Sequence, residues 1–213
     1  MIAENISGLK QELGRNAELV VVSKYRQTEE ILEAYRSGQR LFAENRVQAL
    51  LERAEVLPKD IVWHLIGHLQ TNKVKYIAPF IACIQSVDSL KLLQTIHEQA
   101  LKNGRVIDCL LQVHIAVEET KFGLNERECE AILQHQMLQP FAGVRIRGLM
   151  GMASNTADEA QVKREFSGLK SFYDSMKTKF TLDTLSMGMS SDYRIAVACG
   201  SNMVRVGSKV FGN

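Results

Sequence analysis

The sequence lacks most of the features that would place it in a special class. Its 213 residues carry 26 Lys and Arg against 24 Asp and Glu, a net charge of +2. That balance makes no electrostatic case for nucleic acid or an anionic membrane as a partner. No apolar run reaches the length of a membrane span. The start, Met1-Ile2-Ala3-Glu4-Asn5, has neither a basic segment nor an apolar one after it, so no signal peptide is expected. The four cysteines, Cys83, Cys109, Cys129 and Cys199, are scattered without a C-x-x-C pair. They read as reduced thiols, three of them in or near apolar runs, which suits a cytoplasmic protein and offers no metal site. No stretch is rich in Pro, Gly or Ser, so no linker divides the chain. At 46% hydrophobic and 23% charged, residues 1–213 read as one ordinary globular domain.

What is present is an alternation. Residues 1–17 form a lead-in helix by their spacing. Glu18 to Lys24 is a short, continuous, β-branched run of the kind that forms a buried parallel strand. Seven more such runs follow: Leu41–Ala43, Ile61–Ile66, Ile81–Gln85, Ile107–Val113, Val144–Met150, Thr184–Met187 and Met203–Val206. Helical spacing separates them, with Thr28, Ser86 to Asp88 and Asn125 as expected caps, Pro58 as a stop, a helix starting at His68 and running to about Ile77, and the longest helix over roughly Asp158 to Lys177. Eight β/α repeats in this length predict a TIM-type (β/α)8 barrel. An open doubly wound sheet is the competing arrangement, and the strand count and the absence of a G-x-G-x-x-G turn count against it.

In a barrel, chemistry sits at the C-terminal ends of the strands, and phosphate is commonly held after strands seven and eight. Those ends read Ser186-Met187-Gly188-Met189-Ser190 and Arg205-Val206-Gly207-Ser208. Small residues, hydroxyls and backbone N–H groups suit an oxyanion. Arg205 lies inside an apolar strand, where an unpaired charge is costly. Lys24 ends the first strand and Glu44-Asn45 the second. A strand-end lysine facing a phosphate site is equipped to condense with an aldehyde. With an arginine for a ring nitrogen, the set describes pyridoxal phosphate binding. Taken singly, each residue has a plainer explanation. Lys24 would be solvated, Arg205 a salt-bridge partner, Ser190 a helix cap. Asn45 would be a turn former, His64 a hydrogen-bonded core histidine, and Met187, Met189 and Met203 packing. Their placement on one face is the argument. A Schiff-base aldolase acting on a sugar phosphate is another reading of the same face.

The blocks Val22-Ser23-Lys24, Ala43-Glu44-Asn45, His64 to Lys73, Ser186 to Ser190 with Asp192, and Val204 to Gly207 resemble the pyridoxal phosphate homeostasis protein family (YggS/PROSC type) over essentially the whole chain. That family is similar to the N-terminal barrel of alanine racemase. The resemblance implies that Lys24 forms the internal aldimine with pyridoxal 5'-phosphate and that Arg205 faces the pyridine nitrogen. It also implies that Ser190, Gly207 and Ser208 hold the phosphate, and that Asn45 lies beside the ring. Lys73 and Lys121 are the next lysines to consider. Two residues depart from the family pattern: Arg46 stands where an aromatic is common, and Ala43 where glycine is usual. A closed barrel leaves no strand edge open and no heptad repeat is evident, so a monomer is expected. The implied role is to hold and deliver the cofactor without turnover, with PLP-dependent apoenzymes as recipients. The alternative is a small amino-acid racemase. Racemisation needs a second base, which in alanine racemase comes from a β-rich domain that this sequence does not show after strand eight. Tyr193 or His68 would have to supply it here.

Overall fold

In a computed structural model, which describes residues 1–118 and 122–212, eight parallel strands close into a barrel in sequence order, β8 pairing with β1. The strands are β1 (Glu18–Val22), β2 (Leu41–Glu44), β3 (Val62–Leu65), β4 (Cys83–Val87), β5 (Ile107–Val113), β6 (Val144–Gly151), β7 (Thr184–Ser186) and β8 (Met203–Val206). The helices are α1 (Ile2–Leu13), α2 (Thr28–Arg36), α3 (Val47–Val56), α4 (Val74–Ile77), α5 (Leu90–Lys102), α6 (Glu126–Leu138), α7 (Glu159–Phe180), α8 (Tyr193–Ala198) and α9 (Ser208–Phe211).

The eight expected strands are all there, with ends displaced by a few residues. β1 stops at Val22, leaving Lys24 in the following turn. β4 runs on to Val87, so Ser86 and Val87 belong to the sheet. The cap of α5 is instead Ser89, whose Oγ accepts from the Leu92 N–H at 3.2 Å. Thr28 is the first residue of α2 and not its cap; the Gln27 N–H donates to Glu30 Oε2 at 2.7 Å. The helix expected from His68 begins later, as a 3₁₀ turn over Thr71–Lys73 leading into α4. The cap at Asn125 stands as expected, and Asp158, expected as the first residue of the longest helix, is instead its cap. The Glu128 N–H donates to Asn125 Oδ1 at 2.9 Å, and Asp158 Oδ1 accepts from the Ala160 and Gln161 N–H groups. The stretch containing Lys121 lies outside the described residues.

Side chains alternate across each strand, so every strand serves two cores. The larger lies between the barrel and its helices and includes Val204, Val206, Phe42, Leu65, Ile84 and Phe166. Inside the barrel the apolar filling is thinner. Val20, Ala43 and Met203 form one small cluster, and Cys83, Leu110 and Met150 another. The remaining interior positions on β3, β4, β7 and β8 carry His64, Gln85, Ser186 and Arg205, all buried. At the N-terminal end of the strands, exposed ion pairs tie the rim: Arg145 Nε to Asp108 Oδ1 at 2.7 Å and Arg147 Nη2 to Asp183 Oδ2 at 2.8 Å. No helix among the described residues is long and apolar enough to cross a membrane.

Candidate functional site at the barrel mouth

One cavity of about 1110 Å³ opens at the C-terminal ends of the strands. Lys24, Asn45, Ser190, Arg205, Gly207 and Ser208 all line it, so the six residues singled out in the sequence share one space. The cavity also takes in Tyr25, Met152 and Lys209, to which the sequence drew no attention.

Lys24 is exposed in the turn after β1 and makes no ion pair with a described residue; its Nζ sits 6.0 Å from the Tyr25 ring centroid. Tyr25 holds a left-handed backbone, φ 64°, which a bulky L-residue adopts only at a cost. That turn is pinned from the far end of the chain, where Arg26 Nη2 donates to the Gly212 carbonyl at 2.6 Å. Behind it, Ser23 Oγ donates to Glu44 Oε1 at 2.7 Å. Burial raises the Glu44 carboxyl above its ordinary range, while Ser23 and the nearby Arg53 and Lys24 charges pull the other way.

Close backbone approaches shape the mouth. A Cβ on Gly67 would lie 2.0 Å from the Asn45 carbonyl oxygen, so only glycine lets the loops after β2 and β3 meet. Gly188 has φ 98°, and a Cβ there would strike Ala196 at 2.6 Å. The turn it permits sets Ser190 beside β8. Ser190 Oγ accepts the Gly207 N–H at 3.2 Å, which leaves its hydroxyl proton for another acceptor. The N–H of Gly207, a residue expected to help hold the phosphate, is therefore already used. The N–H groups of Ser190, Ser191 and Ser208 have no acceptor among the described residues. Asp192 Oδ1 secures the turn by accepting from the Met189 N–H at 2.6 Å.

Arg205 is the cation at the floor. Its Nη1 donates to Ser186 Oγ at 2.6 Å and its Nη2 to the Gly151 carbonyl at 3.0 Å, both uncharged acceptors. Burial brings the guanidinium down to about 10, and the Asp192 charge opposes that shift. The bonds then run on through the barrel. Ser186 Oγ donates to Gln85 Oε1 at 2.7 Å, and Gln85 Nε2 lies 2.8 Å from His64 Nδ1. An amide oxygen only accepts and an amide nitrogen only donates, so the bonds on either side of Gln85 each have one direction. The hydroxyl proton goes to the amide oxygen, the amide N–H goes to His64 Nδ1, and His64 is left neutral. Burial independently brings His64 down to about 4. Gln85 was missed in the sequence, and Ser186 was read as part of the anion-binding strand end, not as the partner of Arg205; a polar pair at inward positions of buried strands was the available signal.

The proposed second bases lie elsewhere. The Tyr193 hydroxyl donates to Glu12 Oε2 at 2.9 Å, and burial, with Glu12, raises its pKa. His68 stacks on Phe122, ring centroids 4.1 Å apart, and its Nδ1 lies 3.0 Å from Asp88 Oδ2. Neither lines the cavity.

The closed parallel barrel of residues 1–213 matches the family of the alanine racemase N-terminal domain. Alanine racemase of Clostridium difficile superposes with a TM-score of 0.77 at 14% identity over 100% of this chain and 56% of that one, a likeness of fold. PipY of Synechococcus elongatus, solved with pyridoxal phosphate bound, is 36% identical over all of both chains with a TM-score of 0.88. The "Pyridoxal phosphate homeostasis protein" of Aquifex aeolicus is 35% identical over 99% of this chain and 94% of its own. This chain belongs to the pyridoxal phosphate homeostasis protein family, within the group sharing the alanine racemase N-terminal barrel.

Proposed function

We propose that the chain binds pyridoxal 5'-phosphate at the barrel mouth and takes part in its intracellular homeostasis, holding it at Lys24 and releasing it to PLP-dependent apoenzymes. The carrying observation is that Lys24, Arg205 and the Ser190–Gly207 turn share a single cavity at the strand ends. The cofactor supplies an aldehyde that an amine can hold covalently. Lys24 Nζ, solvated and without an ion-pair partner among the described residues, is the amine at hand. The Ser190 hydroxyl and the open N–H groups of Ser190, Ser191 and Ser208 suit a phosphate, and Lys209 adds a positive charge at the same wall. Asn45, on the wall after β2, borders the ring. Arg205, cationic at neutral pH, is a donor for an unprotonated pyridine nitrogen and disfavours a protonated one. A ring so held is a weak electron sink.

The cavity lining favours a carrier over a racemase. Among the described residues it holds no carboxylate and no histidine, and Tyr25 is its one phenol. Tyr25 is 78% exposed and so is not held opposite Lys24 by packing. The protein in this reading is a cytoplasmic, single-domain monomer; a closed barrel leaves no sheet edge to pair.

The test is the visible spectrum of the protein reconstituted with the cofactor, then borohydride reduction and mass spectrometry. Lys24→Ala should abolish the visible band and the covalent mass while leaving the far-UV spectrum unchanged. An unaltered band would move attachment to another lysine. Exchange of the α-proton of alanine in D₂O at enzyme-like rates, lost in Lys24→Ala and in Tyr25→Phe, would replace the carrier with a minimal racemase.

A further inference from the structure

A second cavity, about 500 Å³, shares Asn45 with the first. Its other walls include Arg46 at the start of α3, His68 and Gln70 from the loop after β3, and Lys73 and Tyr76 from the segment that follows. No carboxylate among the described residues lines it. Arg46 and Lys73 are both exposed, and neither makes an ion pair with a described residue. Lys73 Nζ lies 5.9 Å from the Tyr76 ring, a contact that does not neutralise it. The nearby acids are already engaged. Asp88 lies against His68 at 3.0 Å, and Glu52 accepts from Gln48 Nε2 at 2.9 Å. The ten-residue α3 adds to the same sign of charge: its N-cap is Arg46, with no side-chain cap bond and no acidic residue in its first turn. The positive end of that helix is therefore uncompensated.

Two cations without an ion-pair partner among the described residues, around a concave pocket whose described walls carry no acid, are matched in charge by one phosphate group, which carries about −1.5 to −2 at neutral pH; a single carboxylate would leave one cation over. We propose that this pocket is a second anion site, specific for a phosphate group on a small molecule, and that it fills independently of the Lys24 cavity. Arg46 supplies a planar fork of donors and Lys73 a point charge, with the Gln70 amide to orient the group. The pocket depends on the arginine at position 46, so it is a property of this chain and not of an aromatic at that position. The inference borrows from the proposed function only the identity of the first site.

The experiment titrates inorganic phosphate, followed by ³¹P NMR and calorimetry, into protein already carrying one equivalent of pyridoxal phosphate at Lys24. One saturable equivalent is expected, weakening as salt is raised. Arg46→Tyr with Lys73→Ala should weaken it about tenfold or more, the loss of a charge-assisted hydrogen bond. The visible band should be retained. Ser190→Ala should leave this second equivalent unchanged. A second equivalent of pyridoxal phosphate, added to the loaded protein and read by difference spectrum, should compete with inorganic phosphate for the site; a site that takes the free ion alone would overturn the assignment to a phosphorylated molecule. Phosphate binding that vanishes once the Lys24 cavity is loaded would overturn the proposal, as would binding indifferent to Arg46 and Lys73. Because the band is read in the same sample, failure of the first site and failure of the second are separate results.

Discussion

Ser186 is the link between the floor of the cavity and the barrel interior, and Ser186→Ala removes it with little change in volume. Two hydrogen bonds go. The bond from Arg205 Nη1, 2.6 Å long, has a charged donor and contributes about 1.5–3 kcal/mol, and the bond to Gln85 Oε1, 2.7 Å long, about 0.5–1.5 kcal/mol. Both surviving partners stay buried, so water does not readily replace the hydroxyl. The sum, about 2–4.5 kcal/mol, is a large part of the roughly 5–15 kcal/mol that stabilises a domain. At roughly 2–4 °C per kcal/mol for a chain of this size, the Tm should fall by about 4–18 °C. Scanning calorimetry and urea titration of the cofactor-free protein measure it, with the exposed Ser191→Ala as control, expected to stay within about 0.5 kcal/mol of wild type. Because the bonds form one directed chain, Ser186→Ala and Gln85→Leu should be non-additive when combined. A shift no larger than the control, or strict additivity, would refute the idea that the chain acts as a unit.

Three further outcomes are expected. Ser190→Ala should weaken cofactor binding by roughly 1.5–3 kcal/mol, about tenfold or more, and pyridoxal lacking the phosphate should bind far more weakly than the phosphorylated form; equal affinities would remove the anion site. Gly67→Ala places a Cβ 2.0 Å from the Asn45 carbonyl, so the loops after β2 and β3 must separate. Melting curves should show a loss of about 1–3 kcal/mol or more, together with loss of the visible band; a fully stable variant that binds normally would contradict the close approach. His64 titrates near 4 when folded against 6.5 when free, so the unfolded chain binds the extra proton between those values. The stability this contributes, about 3 kcal/mol, is fully present above 6.5 and is lost as pH falls towards 4. Glu44, raised by burial, acts with the opposite sign above its ordinary value, so the difference in urea midpoints between wild type and His64→Asn isolates the histidine. Parallel pH profiles for the two would be the contrary result.

Much of this molecule was legible in its residues taken in order. Short β-branched runs, buried on both faces, have a period that no helix shares, so the eight strands and their succession could be counted directly. Once the barrel follows, strand ends converge by topology, and Lys24, Asn45, Ser190 and Arg205 come together without any knowledge of contacts. Boundaries were harder, because local propensity does not say where a ladder partner stops. β4 runs to Val87 and moves the α5 cap to Ser89. Only the tertiary structure decided what Arg205 is bonded to. Ser186 and Gln85 are 101 residues apart in sequence, and nothing local marks them as neighbours. The same holds for the glycines at 67 and 188, whose necessity lies in a backbone or side chain from another element. It holds also for the basic pocket beside the mouth, where Arg46 and Lys73 matter because two loops that Gly67 lets touch bring their charges to one cavity. Sequence carries the period and the chemistry of each side chain; which groups desolvate one another is decided by closure of the barrel.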